Sequence, residues 1–324
     1  MKVVIPVAGV GTRLKPHTHT VPKSLLEIAG KPILSHILDP LKKLNPSEVI
    51  FVIGYKGDQI RDFVKSKYKF KSIFVEQDRL LGLGYAVRLA LAEISRGDLL
   101  VILGDTIVES DLKKFTNAGE FVLGVKTVDD PKRFGIAAVK GGYVSKLLEK
   151  PKNPSGNLAL IGLYYFKKID SLKSELDKLI KSGTRTKGEI QLTDALQGMI
   201  ENGAKFKPFE VAGWFDCGTK DATLETNRHF LNKLPQKKSI DGCKLVPPVY
   251  ISSSAKVEQS TIGPFVSVGD RVKISDSNIA NSIIGKNTIM EKAKIENSLV
   301  GQNVIVKSYS GILNLGDNSE ICCC

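Results

Sequence analysis

Several groups of residues in this chain have the types and spacing needed for chemistry on phosphate. An apolar run, Val3 to Val7, leads into Ala8-Gly9-Val10-Gly11-Thr12-Arg13, and Lys23 follows just behind Pro22. A buried strand that ends in such a loop lets backbone N–H groups reach phosphate oxygens without a Cβ in the way. Arg13 and Lys23 would supply charge to the same oxygens. On the Gly-x-Gly fragment alone, an ordinary tight turn is the commoner reading. No Walker Gly-Lys-Ser/Thr is present, and Leu14 stands where the dinucleotide fingerprint needs a third glycine. Farther on, Gln77 offers an amide suited to a base edge and Gly82 permits close backbone approach, although a flexible polar turn fits that loop as well. Asp105 ends the apolar run 99–103, where it is a hard-oxygen ligand for Mg²⁺ on triphosphate oxygens, or the cap of a following helix. A second carboxylate, Asp216, is flanked by glycines in G-W-F-D-C-G-T. Glu149-Lys150 is, taken alone, an ordinary surface pair.

These groups need strands and helices to hold them. Apolar spacing predicts a helix over 32–44, a strand over 49–53, a helix over 58–65, a strand over 72–75, a helix ending near 92 and a strand over 98–105. Such alternation implies a mostly parallel sheet with crossover helices, and ligands in such sheets bind beyond the carboxyl ends of the strands. From Glu120 the pattern turns to short β-rich pieces at 121–127, 135–139, 143–149 and 158–166. Helices follow, one opening at G-E-I-Q-L-T-D and ending near 201, another capped by Thr219 and ending near 234. Residues 233–244 are polar and helix-poor. Beyond them Ile251, Val257, Ile262, Val268, Ile274, Ile279, Ile284, Ile289, Ile295, Val300 and Val306 recur in steps of five and six, with Gly263, Gly285 and Gly301 marking turns. Steps near six predict hexapeptide repeats of a left-handed parallel β-helix; a β-sandwich would alternate with period two. The expected domains are 1–234, a linker over 235–245, and the β-helix over 246–321.

The string G-x-G-T-R-L-x-P-x-T-x-x-x-P-K-S-L-L-x-I-x-G-K-P-I at 9–33 resembles the opening of the sugar-1-phosphate nucleotidylyltransferases. The resemblance continues through L-G-L-G-Y-A, R-F-G, E-K-P, A-L-I-G-L-Y-Y-F, G-E-I-Q-L-T-D and the repeats, over nearly the whole chain. It implies a Rossmann-like α/β nucleotidyltransferase fold followed by the β-helix. The implied reaction is attack of a sugar-1-phosphate on the α-phosphorus of a nucleoside triphosphate, releasing pyrophosphate. In such a site Ala8, Gly9, Gly11, Thr12, Gln77, Gly82 and Asp105 bind the nucleotide. Arg13 steadies the leaving pyrophosphate and Lys23 meets the α-phosphate. Gly135 and Glu149 hold the sugar, Lys150 and Lys187 its phosphate, and Asp105 and Asp216 the Mg²⁺. Lys187 stands where some thymidylyltransferases have Arg, so the charge is kept and the bidentate fork lost. The L-G-L-G-Y-A and G-E-I-Q-L-T-D forms look most like members that use UTP or dTTP. Glucose-1-phosphate is the expected sugar; mannose-1-phosphate with GTP and N-acetylglucosamine-1-phosphate with UTP are the alternatives.

Composition bounds the remaining classes. No stretch of 18 apolar residues occurs, so neither a membrane span nor a membrane partner is expected, and a cytoplasmic location follows by default. Net charge is +13, yet residues 246–324 hold seven basic and seven acidic groups, so the excess lies in the catalytic half. Without long basic runs or interleaved aromatics, this reads as a basic surface with an anion-binding cleft and not as a nucleic-acid surface. The five cysteines (Cys217, Cys243, Cys322, Cys323 and Cys324) lack metal spacing, and the last three read as a frayed tail. All four histidines precede residue 246, which argues against acyl transfer on the β-helix. A regulatory homologue without activity is disfavoured because Gly11, Arg13, Lys23, Asp105 and Asp216 are all present. Stacking of β-helix faces would make a homo-oligomer.

Overall fold

The computed structural model describes residues 1–154, 156–236 and 239–323; Lys237 and Lys238 of the expected linker and Cys324 of the terminal run lie outside them. The chain packs as two compact units: Met1–Gly9 with Ile37–Trp214, and Val10–His36 with the chain from Phe215 onward.

The first unit is built on a nine-stranded sheet. Its parallel half runs Leu99–Ile102, Lys2–Pro6, Glu48–Ile53, Ser72–Glu76 in spatial order. Val3, Val4, Ile5 and every residue of Leu99–Ile102 are buried, as strands covered on both faces require. Helices Gly57–Lys67 and Leu83–Ala90 make crossovers, the latter ending in a 3-10 turn at Leu91–Glu93. Because these strands are parallel, the turns after Pro6, Ile53, Glu76 and Ile102 leave the same end of the sheet. The other half is mostly antiparallel: Leu158–Phe166 pairs with Leu99–Ile102 and Phe121–Thr127, Gly135–Lys140 forms a hairpin with Tyr143–Glu149, and Phe206–Glu210 runs parallel to its neighbour, Phe121–Thr127. Elements that were not foreseen include the helix Leu112–Thr116, the helix Asp170–Ser182 and the strands Phe206–Glu210 and Thr106–Glu109. The last of these removes the helix-cap reading of Asp105, since the next element is a strand.

The second unit carries three five-stranded parallel sheets from Lys244 to Cys322, the left-handed β-helix that the six-residue spacing predicts. A coil takes 17 residues between Lys244 and its partner Thr261, and 15 between Leu299 and Asn314. The predicted apolar series fills the interior, with one correction: Met290, fully buried, points inward where Ile289 was expected, and it stacks on Val306. The turns differ more. Only Gly263 of the three marked glycines has positive φ, at 113°. Gly285 stacks so closely that a Cβ would press on the Gly301 carbonyl. The commonest residue at the left-handed corners is asparagine, at Asn281, Asn287, Asn297, Asn303 and Asn318, because a short polar side chain visits that region at low cost. Their amides stack from coil to coil, Asn281 to Asn297 at 2.6 Å, Asn287 to Asn303 at 2.9 Å and Asn303 to Asn318 at 3.0 Å. Cys322 is not frayed: it ends the last strand and pairs with Lys307, while Cys322 and Cys323 remain exposed thiols.

Candidate active site

In the first unit the parallel strand ends gather the nucleotide candidates. The Gly104 N–H donates to the Pro6 carbonyl at 3.2 Å, and a Cβ on Gly104 would overlap Val7. This close approach sets Asp105 at the same sheet end as Ala8 and Gly9. The Thr106 hydroxyl donates to Asp105 Oδ1 at 3.2 Å. One strand over, a Cβ on Gly54 would lie 2.9 Å from that of Ala8. Gln77 is buried at the end of Ser72–Glu76, and its amide nitrogen donates to the Arg79 carbonyl at 3.0 Å, which holds the side chain in place. Gly82, at φ 108°, precedes the helix Leu83–Ala90. A Cβ on Gly82 would sit 2.7 Å from Glu189, and one on Gly84 would sit 2.8 Å from the Ile190 carbonyl. Gly84 N–H donates to Ile190 O at 2.9 Å and Ile190 N–H to Leu81 O at 2.7 Å. The L-G-L-G and G-E-I-Q-L-T-D strings, about a hundred residues apart in the chain, are therefore zipped together.

The sugar candidates meet on the antiparallel hairpin. Gly135 and Glu149 are cross-strand partners. Glu149 Oε2 accepts from the Thr193 hydroxyl at 2.7 Å, and a Cβ on Gly135 would lie 3.0 Å from that oxygen. Lys150, at φ 41°, reaches back so that Nζ is 3.5 Å from Glu149 Oε1. Lys187 and Gly188, both at positive φ, form the tip of a two-residue hairpin closed by reciprocal Thr186–Glu189 bonds of 2.9 and 3.2 Å. Lys187 is exposed on that tip.

In the second unit Gly11 adopts φ 71°, ψ 41° and starts the 3-10 turn Thr12–Leu14. A Cβ on Gly11 would press on Thr18 at 3.0 Å and Lys23 at 3.1 Å. The Thr18 hydroxyl also donates to the Gly11 carbonyl at 3.0 Å. Lys23 is buried at 8% exposure at the start of the turn Lys23–Leu25, whereas Arg13 is exposed. Arg13 and Asp216 crowd Gly218: a Cβ there would lie 2.6 Å from Arg13 Nη2 and 2.9 Å from Asp216 Oδ1, too close to fit without a shift. Thr219 then caps the helix Lys220–Leu231 by accepting from Ala222 N–H at 3.3 Å.

Two further residues have the geometry of site residues and carried no assigned role in the sequence. Thr193 orients Glu149. Trp214 packs edge-on against Phe134 at 4.8 Å, and its indole N–H is buried with no hydrogen-bond partner among the described residues. Both lie in strings already singled out, G-E-I-Q-L-T-D and G-W-F-D-C-G-T, and membership in those strings was the available signal. For Mg²⁺ the donor chemistry fits, since Asp105 and Asp216 are hard oxygen donors. Among the described residues no three His, Cys, Asp or Glu side chains gather for a metal.

Comparison with known proteins extends this picture. The profile of the Nucleotidyl transferase family matches residues 2–233. The low-salt glycan biosynthesis nucleotidyltransferase Agl11 of Haloferax volcanii is 31% identical over 89% of this chain and 89% of its own length. A glucose-1-phosphate thymidylyltransferase of Streptomyces antibioticus is 30% identical over 88% of this chain and 87% of its own. The bifunctional protein GlmU of Methanococcus maripaludis is 36% identical over 81% of this chain, which spans only 61% of that relative. Among solved structures, a UDP-glucose pyrophosphorylase complexed with UDP-glucose superposes on 72% of this chain and 99% of its own at TM-score 0.62 and 23% identity, a likeness of fold.

Proposed function

We propose that this chain, which belongs to the nucleotidyl transferase family, joins glucose-1-phosphate to UTP or dTTP and releases pyrophosphate. Its reaction class is that of a sugar-1-phosphate nucleotidylyltransferase. The observation that most supports this substrate pair is the zipping of L-G-L-G to G-E-I-Q-L-T-D. It joins the loop proposed to read the base to the turn proposed to meet the sugar phosphate, and both strings have the form seen in uridylyl- and thymidylyltransferases. The thymidylyltransferase relative points the same way.

In this reading Gln77 presents its carbonyl oxygen to the N3–H of uracil or thymine, since its amide nitrogen is committed to Arg79. Ala8, Gly9, Gly11, Thr12 and Gly82 supply close backbone to the nucleotide. Lys23 neutralises the α-phosphate region and Arg13 the pyrophosphate as it leaves. Glu149, aligned by Thr193, accepts from sugar hydroxyls beside the Gly135 backbone, while Lys150 and Lys187 bind the sugar phosphate. The sugar phosphate is already anionic near neutral pH, so no general base is required; positioning and charge neutralisation lower the barrier. Asp105 and Asp216 are the carboxylates proposed for Mg²⁺, which when bound would offset charge on the phosphates.

The proposed catalytic domain is 1–234, with a linker over 235–245 and a β-helix domain over 246–321 that assembles copies of the chain. Sedimentation of the full chain as a monomer would remove the assembly role. For the location, no described helix is long and apolar enough to cross a membrane; a cytoplasmic site is proposed. Pyrophosphate release measured with each nucleoside triphosphate against glucose-, mannose- and N-acetylglucosamine-1-phosphate tests the substrate pair. Highest turnover with GTP and mannose-1-phosphate, or with UTP and N-acetylglucosamine-1-phosphate, would replace it.

A further inference from the structure

The segment Val10–His36, which carries Gly11, Arg13 and Lys23, packs with the β-helix in the second unit. One face of the β-helix does the holding. Tyr250, Ser267, Ile283, Leu299 and Asn314 stand in register on successive strands of one parallel sheet. On a solvated sheet face this column would be wet, yet here each member meets a residue of that segment or of the helix Lys220–Leu231. A Cβ on Gly30, at φ 78°, would overlap the Tyr250 ring. The Ser267 hydroxyl donates to Asn227 Oδ1 at 2.7 Å, and the same oxygen accepts the Ala29 N–H at 2.8 Å. Ile283 and Leu299 are buried in a cluster with Leu224. Asn314 Oδ1 lies 2.9 Å from His17 Nε2.

The last coil grips hardest, and it grips between Arg13 and Lys23. Besides Asn314 and His17, the Thr20 hydroxyl donates to Asp317 Oδ2 at 2.6 Å. A Cβ on Gly316 would press on Pro16 at 3.0 Å. Pro16, His17 and Thr20 bracket Thr18, whose hydroxyl holds the Gly11 carbonyl. A short chain of contacts thus links the final coil to the glycine turn from which Arg13 projects.

We propose that the β-helix is a positioning element of the phosphate-binding loop, with Asn314 and Asp317 as positioning residues that never touch substrate. This rests on the reaction proposed above, and its consequence is selective. Loosening the last coil should weaken the use of the nucleoside triphosphate, whose phosphates Arg13 and Lys23 are to meet, and spare the sugar phosphate, whose proposed ligands lie in the first unit.

The experiment uses the full chain carrying Asn314→Ala and Asp317→Ala together, with Asp317→Asn as the conservative variant. The double variant is expected to lose about tenfold in kcat/KM for the triphosphate. Its KM for the sugar phosphate, at saturating nucleotide, should change less than about twofold by the same argument. Asp317→Asn keeps an acceptor for Thr20 and should stay near the parent. Amide hydrogen exchange over residues 10–25 should rise in the double variant and stay unchanged in peptides of the nine-stranded sheet. An equal loss for both substrates together with a lowered melting temperature would overturn the proposal, as would parental kinetics with parental exchange. If the parent releases no pyrophosphate with any substrate pair, the proposed reaction fails while the exchange measurement still decides the positioning role.

Discussion

At the scale of single residues, the candidate site is a set of charges whose use depends on small spaces. Asp105→Asn and Asp216→Asn each remove one anionic oxygen donor and keep shape. Turnover should fall at least about 100-fold in each, with a melting temperature near the parent; near-normal pyrophosphate release from either would remove it as a metal ligand. Thr193→Val deletes the hydroxyl that orients Glu149. Loss of about 1 kcal/mol should appear as roughly a fivefold higher KM for the sugar phosphate, with nucleotide KM unchanged. His17 is a different kind of probe. Burial holds its imidazole below the usual 6.5, opposed by the Asn314 hydrogen bond and the Asp317 charge. Below about 6.5 the unfolded chain takes up a proton that the folded chain refuses, so stability must fall as pH drops through that window. Melting curves between pH 8 and 5 should show a shallower acid decline in His17→Gln than in the parent.

At the scale of elements, the chemistry rests on strand ends and on close backbone crossings. Gly84 illustrates this, because its missing side chain lets the first turn of the helix Leu83–Ala90 lie on the Ile190 carbonyl. Gly84→Val should cost about 1–3 kcal/mol by overpacking, read as a lower denaturation midpoint, and raise KM for both substrates because it parts the two strings. The strands Phe121–Thr127, Tyr143–Glu149 and Leu158–Phe166 were legible from their apolar runs to the residue. The helix Asp170–Ser182 was not, because only Leu172 and Leu176 are buried in a run dominated by charge. The Glu149–Thr193 bond spans 44 residues, and no local pattern announces it. In the β-helix the six-residue period was plain. It could not distinguish Ile289 from Met290, since both are apolar and adjacent and only the coil register selects one. Glycine drew attention as the turn former, while asparagine is the commonest residue at the left-handed corners.

At the scale of the whole molecule, Arg13 and Lys23, proposed for the triphosphate, fall in one compact unit, and Gly135, Glu149, Lys150 and Lys187, proposed for the sugar phosphate, fall in the other. The chain order hides this: Arg13 and Lys23 precede nearly the whole first unit, yet they pack with the C-terminal β-helix. Family strings made the reaction class readable, and the motif residues lie where strand ends and tight turns would present them. What the strings did not convey is the support of the segment Val10–His36, which comes from stacked coils about 300 residues farther along the chain. The central claim is that this chain transfers a nucleotidyl group to a sugar-1-phosphate. Pyrophosphate release measured on the purified full chain with Mg²⁺, across a matrix of nucleoside triphosphates and sugar-1-phosphates, tests it most directly. The account predicts release only when both substrates are present, fastest with glucose-1-phosphate and UTP or dTTP. No release from any pair, or release that is independent of the sugar phosphate, would contradict it.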